Sequence, residues 1–182
     1  MTETPREAEQ VVAFWREAGP AKWYAKDSAF DVAFRDRFAL LYSRASRAEL
    51  KHWRSTPEGA LAEIILLDQF PRNAFRNTPW AFATDTLALE AAKAMRTSGQ
   101  DLSLPPDLRA FAYMPFDHSE ALEDQNIAVE LLSPSSEENA YHAIEHRKLI
   151  ERFGRFPHRN AILGRPNTPD EQAFLDGGGY RP

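Results

Sequence analysis

Apolar residues recur along this chain at three- and four-residue intervals, broken by short polar segments that carry helix start and stop signals. Phe30, Phe34, Phe38 and Leu41 form such a stripe, as do Leu61, Ile64 and Ile65, and, further on, Leu149, Ile150 and Phe153. No stretch alternates apolar and polar residues for long, and β-branched residues do not cluster, so the pattern predicts helices and no sheet. Punctuation sets their limits. Thr4-Pro5 with Glu7 predicts an N-cap and capping box for a first helix that stops at Gly19. Ser28 with Asp31 opens a second, Ser46 with Glu49 a short one through Trp53, and Thr56-Pro57 one through Gln69. Thr78-Pro79 and Asp85 begin a stretch ending at Gly99, and Pro105-Pro106-Asp107 opens a short helix to Met114. His118–Leu132 and Ser136–Phe153 follow, and Thr168-Pro169 caps a last short helix.

The connections are short, so neighbouring helices are expected to pack as antiparallel pairs. The fold class is all-α: roughly eight or nine helices. With no linker or compositional break, residues 1–176 read as one domain, and Gly177-Gly-Gly-Tyr-Arg-Pro182 as a flexible tail.

The second signal is polar residues standing where the helical period asks for apolar ones. Asp68 shares a face with Leu61, Ile64 and Ile65; Gln125 shares one with Leu122, Val129 and Leu132; His142 and His146 lie on the stripe of Leu149, Ile150 and Phe153. A buried carboxylate is costly unless paired, so Asp68 calls for an arginine, Arg72 or one from elsewhere. Several such intruders on three helices suggest faces that converge on a polar cavity, against the plainer alternative of separate hydrogen-bond networks.

Two near-repeats accompany them. Phe70-Pro71-Arg72-Asn73 and Phe156-Pro157-His158-Arg159-Asn160 each follow a helical run, and Arg76 and Arg165 follow in turn. Proline is expected to end each helix, leaving an Arg-Asn pair on a turn. Such a pair offers a planar fork and an amide, either to a bound anion or to bare helix-end carbonyls.

Charge sharpens the second location. The chain carries a net −5, which argues against a general nucleic-acid binder. Yet Arg147, Lys148, Arg152, Arg155, Arg159 and Arg165 face one acid, Glu151, across the segment 147–165. Without cysteines, thiolate metal sites, disulfides and cysteine nucleophiles are excluded, and the cytoplasm is the simplest expectation. Met1–Trp15 contains Glu3, Arg6, Glu7 and Glu9 and lacks the apolar centre of a signal peptide; no apolar run is long enough for a membrane span. His142-Ala-Ile-Glu-His146 matches an inverted zinc-peptidase pattern, but a third ligand would have to come from the few acids after it, so no metal is predicted. Asp117-His118-Ser119-Glu120 can cap a helix through Asp117 or Ser119, or supply acid/base groups through His118 and Glu120. A serine nucleophile would lack its G-x-S-x-G elbow, and no phosphate-binding glycine loop is present, so no cofactor is predicted.

Taken together, Leu67-Asp-Gln-Phe-Pro-Arg-Asn73 with Phe75-Arg76, Tyr113-Met-Pro-Phe-Asp-His-Ser-Glu120 with Gln125, His146-Arg147, and Arg152-Phe-Gly-Arg-Phe-Pro-His-Arg-Asn160 with Leu163-Gly-Arg165 resemble the bacterial family DUF924. Asp27, Phe30-Asp31 and Asp85 also fit its pattern. The resemblance implies a tetratricopeptide-like helical fold and no particular reaction. It falls on Asp68, Gln69, Arg72, Asn73, His118, Ser119, Glu120, Gln125, His146, Arg152, Arg155, His158, Arg159 and Asn160; His142 lies off the pattern.

Two functions of different kinds fit these residues. In the first, a small anionic molecule, a carboxylate or phosphate, is bound by Arg72, Asn73, Gln125, Arg155, His158, Arg159 and Asn160, with Asp68, His118, Glu120 and His146 as acid/base partners. In the second, a helical-pair adaptor holds a peptide or partner protein and the motif residues are internal scaffolding.

Overall fold

The computed structural model describes residues 3–180, and among them there is helix and no strand. None of these helices is long and apolar enough to cross a membrane. The chain divides into two compact units, one of residues 1–76 and 80–115, the other of 77–79 and 116–182. The division falls inside a helix, between Pro115 and Phe116, so no glycine- or proline-rich linker marks it in the sequence.

The first unit contains α1 (Arg6–Ala18), α2 (Pro20–Trp23), α3 (Ser28–Ser46), α4 (Pro57–Ile64), α5 (Phe70–Ala74), α6 (Asp85–Ser98) and most of α7 (Pro106–Asp117). Helix α4 packs against α1 and α6, and α3 against α5. The predicted stripe of α3 is the core face: Phe30, Phe34, Phe38 and Leu41 are all buried. Phe34 meets Trp15 and Phe70, and the Trp15 ring stands edge-on to Phe111 at 5.2 Å. Several caps are as the sequence predicts. Thr56 accepts from Gly59 N–H at the start of α4, and α6 ends in left-handed Gly99. Gly59 is required for close approach, since a Cβ there would lie 2.2 Å from the Trp53 carbonyl oxygen. Two caps differ. Asp27, and not Ser28, caps α3 by accepting from the N–H groups of Ala29 and Phe30. Thr4 donates to the Thr56 hydroxyl and does not cap α1, whose N-cap is Pro5.

Pro71 does not end its helix. Between α4 and α5 the backbone passes through one π turn, Ile65–Gln69, and the Phe70 N–H bonds to the Ile65 carbonyl five residues back. Pro71 has no N–H to continue the ladder, and the widened turn leaves carbonyls open to side chains. The Thr84 hydroxyl donates to the Leu67 carbonyl at 2.5 Å, the Arg72 Nη1–H to the Asp68 carbonyl at 2.8 Å, and the Asn73 amide to the Gln69 carbonyl at 2.8 Å. Three successive carbonyls are thus satisfied by side chains. A Thr84→Val change keeps the volume and removes one donor from a buried site, so it is expected to cost about 1–3 kcal/mol; denaturant unfolding should show a lower midpoint with an unchanged slope.

The second unit holds the end of α7, α8 (Leu122–Leu132), α9 (Glu137–Phe153) and α10 (Pro169–Asp176). Helix α8 packs on α9. Ser136 caps α9 through Asn139 N–H, and the predicted signal at Thr168 is a capping box, reciprocated by Glu171. Leu149, Ile150 and Phe156 form the core, with Phe153, Phe174 and Tyr180 packed against it. Of the segment expected as a loose tail, Gly177–Tyr180 turns back: the Tyr180 ring packs 5.6 Å from that of His146 and its hydroxyl meets His142 Nδ1. Arg181 and Pro182 lie outside the described residues.

Candidate functional site

Among the residues singled out by sequence, one network lies in the first unit and one in the second. In the first unit Asp68 is fully buried, as its place on the stripe predicts, and Arg72 is its partner at 3.2 Å. The fork of Arg72 is also engaged by Asp85, with Nη1 and Nη2 donating to the two carboxylate oxygens at 2.8 and 3.1 Å. Arg76 grips Asp31 in the same two-pronged way and donates to the Asn73 amide oxygen. Gln69 donates to Asp68 at 2.7 Å. Acids of this chain and helix carbonyls therefore occupy the first Arg-Asn pair. Asp31 and Asp85 stand among the family-pattern residues, but nothing in the sequence pairs them with these arginines.

The second network surrounds Phe156. Helix α7 continues through Pro115 to Asp117, beyond the predicted stop at Met114, and this places Asp117 beneath α9. Asp117 does not cap a helix: its Oδ2 accepts from His146 Nδ1 at 2.7 Å, and both residues are buried. Buried Gln125 reaches back from α8 and its amide donates to the carbonyls of Phe116, Asp117 and Ser119, so it closes the end of α7. Ser119 accepts from Ala121 N–H and donates to Asp124.

Around Phe156, the His146 ring lies at 5.1 Å, the His158 ring at 5.4 Å and the Arg159 guanidinium at 4.4 Å from its centroid. Arg159 is buried and donates Nη1–H to the His118 carbonyl at 3.1 Å. Glu120 accepts from the Phe156 N–H and from both terminal nitrogens of Arg165. Burial alone would raise the pKa of Glu120, but Arg165 and the Phe156 N–H outweigh it, and the carboxyl is held below its ordinary range. Glu120 is therefore an ionised anchor of the 156–165 turn. Asn160 is fully buried and is held within the same turn: it accepts from Arg165 and donates to Asn167. Arg155 grips Glu171 with two bonds, which lowers that carboxyl to about 2.

Several buried polar atoms here have no hydrogen-bond partner among the described residues: His146 Nε2, His158 Nδ1, Asp117 Oδ1 and Gln125 Oε1. Burial, with the positive charge of Arg159 second, lowers the His158 pKa to about 3, so its imidazole is neutral near pH 7. His142, off the family pattern, is half-buried and turns its Nδ1 to Tyr180. No three His, Cys, Asp or Glu side chains gather as a metal-ligand set among the described residues.

The family description "Bacterial protein of unknown function (DUF924)" matches residues 11–179. The chain belongs to DUF924. Its structure is similar to that of ATU0120, a protein of unknown function from Agrobacterium tumefaciens, with a TM-score of 0.93 and 46% identity over 97% of this chain and 100% of that one. No match was found among curated proteins. In this DUF924 protein the family's motif residues accordingly serve two ends. Asp68, Arg72, Asn73 and Gln125 bind helix ends and one another, whereas Asp117, His146 and His158 present buried polar atoms that the described residues do not satisfy.

Proposed function

We propose that this DUF924 protein binds a small anionic molecule, a carboxylate or phosphate, in its second unit at the polar cluster around Phe156. Arg159 supplies the guanidinium, neutral His158 and the Asp117–His146 pair supply hydrogen bonds, and Glu120, Asn160, Arg155 and Arg165 brace the turn. The observation that carries the reading is the group of unpartnered buried atoms, His146 Nε2 and His158 Nδ1, on rings packed with Arg159 against one phenylalanine. A buried donor or acceptor left unmade costs about 1–3 kcal/mol, and a bound polar molecule removes that cost.

The test is a melting-temperature screen with phosphate, acetate, citrate and related anions. A ligand at a hundred times its Kd adds about 2.7 kcal/mol, several degrees for a chain of this size. Arg159→Lys keeps the charge and loses the fork; it is expected to melt within a few degrees of wild type without ligand and to lose most of the ligand shift. If no anion moves the wild-type melting temperature, the reading fails.

One observation favours the second reading, a helical adaptor with the motif as scaffolding. Arg72 and Asn73 bind carbonyls and acids of their own unit, as an internal brace requires. On that reading the same screen is silent and Arg159→Lys only lowers stability.

A further inference from the structure

The first unit holds a cavity apart from its Asp68–Arg72 network. Its volume is about 410 Å³, and it lies among α1, α4 and the segment that enters α7, all within that unit. Each side lends it two residues: Val12 and Arg16 from α1, Glu58 and Leu61 from α4, and Leu104 and Leu108 from the entry and first turn of α7. Residues three or four apart on a helix share a face, so each charged side chain borders the cavity next to an apolar one. Val12, Leu61 and Leu108 are fully buried and Leu104 nearly so, and they make an apolar base. Arg16 is exposed and Glu58 half-buried, and they make a rim.

The two rim charges are opposite in sign and are not spent inside the protein. The side chains of Arg16 and Glu58 make no hydrogen bond or ion pair with each other or with any other described residue. That sets Arg16 apart from Arg54, Arg72 and Arg76, whose forks are held by acids of the same unit. Small-molecule sites of about 300–1,000 Å³ combine an apolar lining with a few fixed polar groups, and this cavity lies toward the small end of that range. A fatty acid would answer Arg16 and leave Glu58 against its chain; an apolar amine would do the reverse. A molecule with a carboxylate, an ammonium and a short apolar body answers all three features.

We infer that this cavity binds an apolar amino acid. Its carboxylate meets the Arg16 guanidinium, which can grip both oxygens, its ammonium meets Glu58, and its side chain lies toward the apolar base. The site is independent of the anion site in the second unit, and failure of either leaves the other standing.

The experiment is calorimetry with leucine and its truncated forms: isocaproate, which lacks the ammonium, and isopentylamine, which lacks the carboxylate. Each is expected to bind at least about tenfold more weakly than leucine, a difference of about 1.4 kcal/mol. Arg16→Gln should bind leucine about as weakly as wild type binds isopentylamine, and should leave isopentylamine binding unchanged. Glu58→Gln should match isocaproate in the same way. The comparison of ligands on wild type needs no variant to fold. Absence of leucine binding, or a truncated form that binds as tightly as leucine, overturns the inference. Leucine binding untouched by both substitutions places it elsewhere and overturns it too. So does tighter binding of leucyl-leucine, whose end charges lie one residue, about 3.3 Å, farther apart.

Discussion

An Arg72→Met variant is expected to lose about 3–5 kcal/mol of stability, a melting point roughly 10 °C lower. Methionine keeps most of the aliphatic stem, so packing changes little, but the fork that holds Asp68 and Asp85 is gone. Asp68 is fully buried, and removing one partner of a buried pair leaves an uncompensated charge. The bond from Arg72 to the Asp68 carbonyl is lost as well, which leaves one carbonyl of the π turn without that donor. Because the cost comes from the stranded carboxylate, Asp68→Asn added to Arg72→Met should recover part of it, a coupling that a double-mutant cycle measures directly. A loss below about 1 kcal/mol would show that the network behaves like an exposed ion pair and is no brace.

Acidification is expected to destabilise the second unit well above the usual carboxylate range, and His158 is the cause. Its folded pKa is about 3 against an ordinary 6.5. The unfolded chain therefore binds a proton that the folded chain refuses, and stability must fall as pH drops below 6.5. Each pH unit through that window costs up to about 1.4 kcal/mol, so up to about 2 kcal/mol is lost by pH 5; the loss stops near pH 3, and above 6.5 the group contributes no slope. Burial sets this penalty, Arg159, His146 and Arg165 add to it, and Glu120 opposes it. Glu120 and Glu171, whose folded pKa values are lowered, add the same direction of effect only below about pH 4.5. Unfolding measured at several pH values on wild type and His158→Gln separates them: the variant should lose less stability than wild type between pH 7 and 5, by up to about 2 kcal/mol. An identical slope in both proteins would remove His158 from the account.

How far the sequence led depended on how local each feature is. Caps such as Thr56 and Thr168, and the left-handed glycine after α6, are set by residues three or four apart and are legible without a structure. The burial of Asp68, Gln125 and His146 followed from helical period alone. What paired with them did not. Asp31 and Asp85 lie far along the chain from Arg76 and Arg72, and spacing gives no rule for such pairs. Pro71 was the misleading signal: its local meaning is a helix stop, and only Thr84 and the side chains of Arg72 and Asn73 let the helix pass it. The expectation of a cap at Asp117 or Ser119 misleads for the same reason, since a helix that runs through Pro115 cannot be seen in local propensity. The pairing of the two Arg-Asn turns was similarly opaque, because each turn closes its own network in its own unit.

The place of Tyr180 bears on how this protein should be handled at the bench. A purification tag, dye or surface linker joined close after Tyr180 would pull on the ring that packs 5.6 Å from that of His146. Binding measured on such a fusion would report the tether as well as the ligand. The chain has no cysteine, so one introduced at an outlying position such as Leu40, 74% exposed on α3, gives a single attachment point in the other unit and leaves the contacts of Tyr180 untouched.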